Sequence, residues 1–154
     1  MNKKAQFYII TAIILLALTF GFFKPKIKYE TDRTFMALCD NYIREASFAA
    51  NTGNLGDFTQ KFVEFGNTRE PDFGIAYLYV QSQNITAANL LKKTIYINEN
   101  KVMHNETVVI DRENKTVITT DSSQYTFNTS EYPKISAFVF SESENNKRVC
   151  LKNA

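Results

Sequence analysis

Tryptophan is absent, histidine occurs once, and the chain holds only five glycines, three prolines and two cysteines. Each scarcity removes a class of chemistry. With a single imidazole, and with neither His-x-x-x-His nor Cys-x-x-Cys present, no transition-metal site has recognisable spacing. There is no Gly-x-Gly-x-x-Gly, no Walker loop and no Gly-x-Ser-x-Gly elbow, so neither a phosphate cradle nor a strained nucleophile turn is encoded. The charge is close to balanced, 18 Lys plus Arg against 16 Asp plus Glu, so no basic excess favours a polyanion and no nucleic-acid partner is expected. Internal repeats and low-complexity stretches are missing too. A hydrophobic content of 44% in 154 residues is what remains, enough for one ordinary domain with a core.

The hydrophobicity is unevenly spread. Residues 7–23 carry no charge at all and read Phe-Tyr-Ile-Ile-Thr-Ala-Ile-Ile-Leu-Leu-Ala-Leu-Thr-Phe-Gly-Phe-Phe. As a helix, this run extends roughly 25 Å, the short end of what crosses a hydrocarbon layer of about 30 Å. Lys3 and Lys4 on one side, and Lys24, Lys26 and Lys28 on the other, extend it by snorkelling. Aromatic residues stand at both edges, where amphipathic rings favour the interfaces. The flanking lysines are nearly balanced and do not orient the segment. Orientation rests on the remainder of the chain, which holds all the domain-like sequence, both cysteines (Cys39 and Cys150), and four sequons at Asn84, Asn105, Asn114 and Asn128. Together these place the C-terminal part outside the cell. Phe20, Phe22 and Phe23 crowd the exit where a secretory peptidase needs small residues, so the apolar run is expected to stay on the chain.

The start, Met-Asn-Lys-Lys-Ala-Gln-Phe-Tyr-Ile-Ile, resembles the short leader of type IV pilin-like proteins, particularly archaeal ones. The resemblance covers roughly the first 25 residues and the general layout of helix before sheet. It implies cleavage by a prepilin peptidase between Ala5 and Gln6, ahead of the apolar run. It also implies a helix over 6–28 that serves first as a membrane anchor and then as a filament core, lined by Phe7, Ile10, Ile14, Leu18 and Phe22. Ile10 stands where bacterial relatives usually carry Glu, so the inter-subunit charge pairing attributed to that Glu cannot operate here. Pro25 lies near the membrane exit, where it removes a backbone donor and bends or ends a helix. The implied domains are a leader (1–5), an anchor helix (6–28) and an extracellular head (29–154). The implied role is a structural subunit of a type IV pilus-like archaeal surface filament, major or minor. Its partners would be membrane lipid, other copies of itself or related pilins, and the peptidase. The alternative is an uncleaved single-pass surface protein whose head binds a ligand or partner.

The head reads as two helices followed by strands. Phe35, Leu38, Cys39, Tyr42, Ile43, Ala46 and Ala50 repeat at three and four, a single apolar stripe, with Thr31 or Asp32 as candidate cap. Leu55, Phe58, Phe62 and Phe65 predict a second, short helix that Pro71 cannot extend. Strands are expected at 73–80, 94–97, 125–127, 135–140 and 148–151, with 107–110 and 116–120 joined as a hairpin. Residues 87–91 fit either a helical turn or a strand. The fold class expected is therefore α+β: a long N-terminal hydrophobic helix, then an amphipathic and a short helix packed on one antiparallel sheet. Tyr77 and Tyr79 alternate with Leu78 and Val80, so one face of that strand is either open for contact or covered like the other.

Cys39 and Cys150 either join the amphipathic helix to the final strand or stand as two thiols. A bridge closing so long a loop is worth about 4–5 kcal/mol by chain entropy. Alternation puts Cys150 with Arg148 and Lys152, and Val149 and Leu151 on the other face; if the apolar pair faces the helix, Cys150 does not. Few groups suggest catalysis. His104 lies between strand-like runs; Cys39 sits on an apolar stripe, where a thiol is inert. Glu142 and Glu144 fall in a polar turn, and Asp111, Glu113 and Asn114 match a calcium loop in composition but not in spacing. No enzyme and no cofactor are expected.

Overall fold

A computed structural model describes residues 28–121, 123–143 and 146–154. Asp32–Ala154 form one compact unit. The expected leader, cleavage site at Ala5 and Gln6, and apolar helix with Phe7, Ile10, Ile14, Leu18 and Phe22 lie outside the described residues.

The apolar stripe does form a helix, α1 (Lys28–Asn51), followed by α2 (Leu55–Asn67). The first begins earlier than the capping residues implied: Thr31 and Asp32 lie inside it. It ends at Asn51, and Gly53 takes a left-handed φ of 74°, which glycine adopts without Cβ strain. In the last turn of the second, Gly66 lies against the Phe73 ring where no Cβ would fit.

Strand then takes over, and here the α+β expectation is corrected. The described chain is mostly antiparallel β, with two short helices ahead of nine strands. No described helix is long and apolar enough to cross a membrane. The strands are β1 (Gly74–Val80), β2 (Asn84–Asn89), β3 (Ile95–Ile97), β4 (Asn100–Val102), β5 (Glu106–Asp111), β6 (Lys115–Thr120), β7 (Ser123–Asn128), β8 (Lys134–Ser143) and β9 (Asn146–Asn153). They form two sheets, not one: β5-β2-β1-β8-β9, and β4-β3-β6-β7. The ambiguous stretch at 87–91 is mainly strand. The expected hairpin between 107–110 and 116–120 does not exist, because β5 pairs with β2 in one sheet while β6 pairs with β3 and β7 in the other. A connection of similar length to a hairpin loop serves as a crossover. Strands β8 and β9 pair as a hairpin and run longer than the strands expected at 135–140 and 148–151: residues 141–143 and 146–147 continue the ladder.

The five-stranded sheet is covered on both faces, which settles the aromatic strand. Ile75 and Tyr77 pack against Phe35, Leu38, Tyr42, Ala46 and Leu55 of the helices. Ala76, Leu78 and Val80 pack against Ile95, Ile97, Ile118 and Phe127 of the second sheet. Strand β1 is central in its sheet and sandwiched, so nearly all its residues are buried and both faces are covered.

Candidate functional site

The cysteines are joined. Cys39 of α1 and Cys150 of β9 form a disulfide across 111 positions, with Cα atoms 6.6 Å apart. The condition that would have kept them apart, Val149 and Leu151 facing the helix, is not met. Cys150 is buried among helix residues, while Leu151 points away and is 44% exposed. The alternation itself holds; hydrophobicity alone does not tell which side of an edge strand meets the helix. Arg148 and Lys152 share the helix face with Cys150 and are accommodated by charge. Lys152 Nζ lies 2.7 Å from Asp40 Oδ1, and Arg148 Nη2 donates to Glu70 Oε2 at 2.5 Å.

The Glu70–Arg148 pair is the buried polar centre of this seam. The Glu70 side chain is fully buried. Arg148 also donates to Ser141 Oγ at 3.2 Å and stacks on the Phe35 ring at 5.4 Å. Ser141 in turn donates to the Pro71 carbonyl at 3.0 Å. Sequence reading missed the pair because its members are 78 positions apart with no periodic signal. Nearby, the Tyr42 hydroxyl meets Thr59 Oγ1 at 3.0 Å, and the threonine hydroxyl donates to the Leu55 carbonyl at 2.7 Å. Burial pushes the Tyr42 phenol well above its usual range; the Thr59 bond opposes this and neighbouring Tyr77 adds to it. Burial raises Tyr77 as well.

The four sequon asparagines are all exposed. Three of them, Asn84, Asn114 and Asn128, lie at one pole, gathered by Arg112. That residue donates from its backbone to Gln83 O at 3.0 Å, and from its guanidinium to Ser82 O at 2.9 Å and Ser130 O at 2.6 Å. It also stacks on Tyr132 at 4.5 Å. The clasp ties together the β1–β2, β5–β6 and β7–β8 connections, which is why residues 111–114 cross between sheets and do not close a hairpin. Asn105 lies at the other end of β5, with a left-handed φ of 62°. The hydroxyl residues of the sequons differ: Thr107 and Ser130 are exposed, Thr86 is half-buried, and Thr116 is buried against Thr129 at 3.2 Å.

The residues weighed for catalysis are not assembled. His104 is exposed, and its Nδ1 donates to the Leu91 carbonyl at 2.7 Å, a loop-fastening role. Cys39 is in the disulfide. Asp111 closes β5, with Glu113 and Asn114 in the connection after it, and Glu142 belongs to β8. Among the described residues no three His, Cys, Asp or Glu side chains converge as a metal would need. An open depression of about 450 Å³ on the second sheet is lined by Asn98, Glu99, Glu113, Val117, Thr119 and Gln124, and lacks a nucleophile–base pair. One cationic cluster was not foreseen. Lys93 Nζ lies 3.4 Å from the Phe140 ring centre and Lys147 5.7 Å from it. Burial lowers the Lys93 ammonium, Lys147 adds to this, and Glu142 and Asp121 oppose it.

What the arrangement offers is therefore surface and attachment: a helix layer stapled to a sheet, an exposed set of sequons, and two strand edges. No protein-family model, no curated protein and no solved structure matches the chain.

Proposed function

We propose that the chain is a structural subunit of a type IV pilus-like surface filament, held at the membrane and then in the fibre by the apolar segment 7–23. The observation that carries this reading is the uninterrupted, charge-free run ahead of a folded head. Such a run is at home in lipid and equally among copies of itself, since in both places its side chains meet apolar surroundings. The head fits an oxidising, external setting. It is closed by a disulfide, and its four sequon asparagines are exposed. The helix layer and two-sheet core form an inert, cross-linked body suited to passive structure rather than turnover.

Mass spectrometry of the native protein from the membrane and sheared-surface fractions tests the reading. A mature N-terminus at Gln6, together with the protein in sheared filaments, supports it. An intact leader with the protein confined to the membrane points to a single-pass surface receptor or ligand-binding protein. A mature chain free in solution and lacking segment 7–23 overturns both.

A further inference from the structure

The five-stranded sheet ends in two open edges, β5 and β9, neither paired to another strand among the described residues. Strand edges usually carry charges that prevent pairing. Here the charges are sorted. On β5 the ends are Glu106 and Asp111; on β9 the corresponding residues are Lys147 and Lys152. Both pairs are separated by five positions, so the two members of each pair lie on opposite faces; Arg148, also on β9, is held by Glu70. Val108, Ile110 and Val149 pack toward the second sheet, which places Glu106 and Lys147 on that same face. Asp111 and Lys152 then share the helix face, where Lys152 already meets Asp40.

The strand directions match as well. Each neighbour pair in the sheet is antiparallel, so β5 and β9 both run parallel to β1. The ladders put Glu106 level with Leu151, so a second copy displaced along the hydrogen-bonding direction and slid by four residues, about 13 Å, along the strands would bring its β5 beside β9 in parallel and in charge register. Glu106 then falls beside Lys147 and Asp111 beside Lys152, each on its own face. The same register covers two exposed apolar groups. Val109, 64% exposed and on the helix face of β5, comes level with Cys150. Leu151, 44% exposed, meets Ile110. Two-fold pairings do the opposite. Joining β5 to β5 brings the Glu106 end beside the Asp111 end, and joining β9 to β9 brings lysine beside lysine, which is unfavourable.

We infer that the occupant of the β9 edge is the β5 edge of a second copy of this chain, continuing the sheet from head to head. Such a contact is heterologous and propagates as an open fibre rather than closing as a dimer. Its biological meaning rests on the filament-subunit reading, but the contact itself uses no residue of segment 7–23.

The test is charge exchange in the full chain, purified in mild detergent and followed by sedimentation velocity across a concentration series. The wild type is expected to form concentration-dependent oligomers. E106K/D111K makes both edges basic, and K147E/K152E makes both acidic. Each is expected to weaken self-association by at least about tenfold while melting within a few degrees of wild type. An equimolar mixture of the two, or one chain carrying all four exchanges, is expected to recover association. Undiminished association of either variant, absence of recovery on mixing, or a wild type that stays monomeric throughout overturns the inference. Sheared filaments with Gln6 termini that form equally well from the variants would overturn this contact and leave the filament reading standing.

Discussion

The two faces of the five-stranded sheet are held by different physics. Toward the second sheet the contact is aliphatic and continuous: Leu78, Val80, Ile85, Ile95, Ile97 and Ile118 are all buried, and area alone does the holding. Toward the helices the apolar stripe is supplemented by point fastenings: the Cys39–Cys150 bridge, the Glu70–Arg148 pair, and the Tyr42–Thr59 hydrogen bond. A sheet on a sheet is registered by many side chains of fixed alternation. The helices meet the sheet through one apolar stripe each, and specific bonds set where they rest. The difference teaches that the helix layer is the separable part of the head.

Opening the disulfide is the strongest way to break that comparison. C39S/C150S is expected to lose about 4–5 kcal/mol, by the chain-entropy estimate for a loop this long. Hydrogen exchange should show α1 amides losing protection while β3 and β6 keep theirs; uniform loss across both layers would mean the layers are not separable. Next comes the buried ion pair. Glu70→Ala leaves the Arg148 guanidinium without its carboxylate in a dry site, expected to cost about 3–5 kcal/mol by urea unfolding. The double replacement E70L/R148M should recover most of that, because neither charge is then buried.

Alkaline titration sharpens the contrast further. Tyr42 and Tyr77 titrate above their unfolded value of about 10, since burial disfavours the phenolate. The unfolded chain therefore loses these protons first. Stability is intact below pH 10 and falls as pH rises above it, by up to about 1.4 kcal/mol per pH unit for each tyrosine. Tyr42→Phe should roughly halve the slope. An unchanged slope in that variant would show that the helix-side phenols do not drive the loss. The smallest effect belongs to the aliphatic side. Ser136, on the second-sheet face of β8, is buried with no hydrogen-bond partner for its hydroxyl among the described residues. Ser136→Ala is expected to stabilise the head by up to about 1 kcal/mol, read as a rise in melting temperature.

Much of the local structure was readable in the residues. The three-and-four repeat from Phe35 to Ala50 and the runs rich in Val, Ile and Tyr did become helix and strands. The errors are all non-local. The stretch 107–120 looks like a hairpin because loop length and alternation are local signals; Arg112, bound to backbone 18 and 30 positions away, sends β6 to the other sheet. Alternation alone left open which face Cys150 takes, and the more hydrophobic pair, Val149 and Leu151, pointed to the wrong one. Arg148 overrides that preference, since Glu70 is there to neutralise it. The buried Asn89 went unnoticed, although it donates to Lys93 O at 2.8 Å and Val102 O at 3.0 Å and fastens the turn into β3.

By itself the order of residues determined the two head helices and most of the strand runs, though not β2 or β4, which positions are apolar, and that a charge-free run precedes a head with two cysteines and four sequons. Periodicity and composition carry that information because they act within a few residues. Only the tertiary structure decided that the strands split into two sheets, that both faces of β1 are covered, that the cysteines meet, and that acid and base occupy opposite edges of one sheet. Those outcomes depend on which distant groups satisfy one another's charges and hydrogen bonds, and no window of sequence contains both partners.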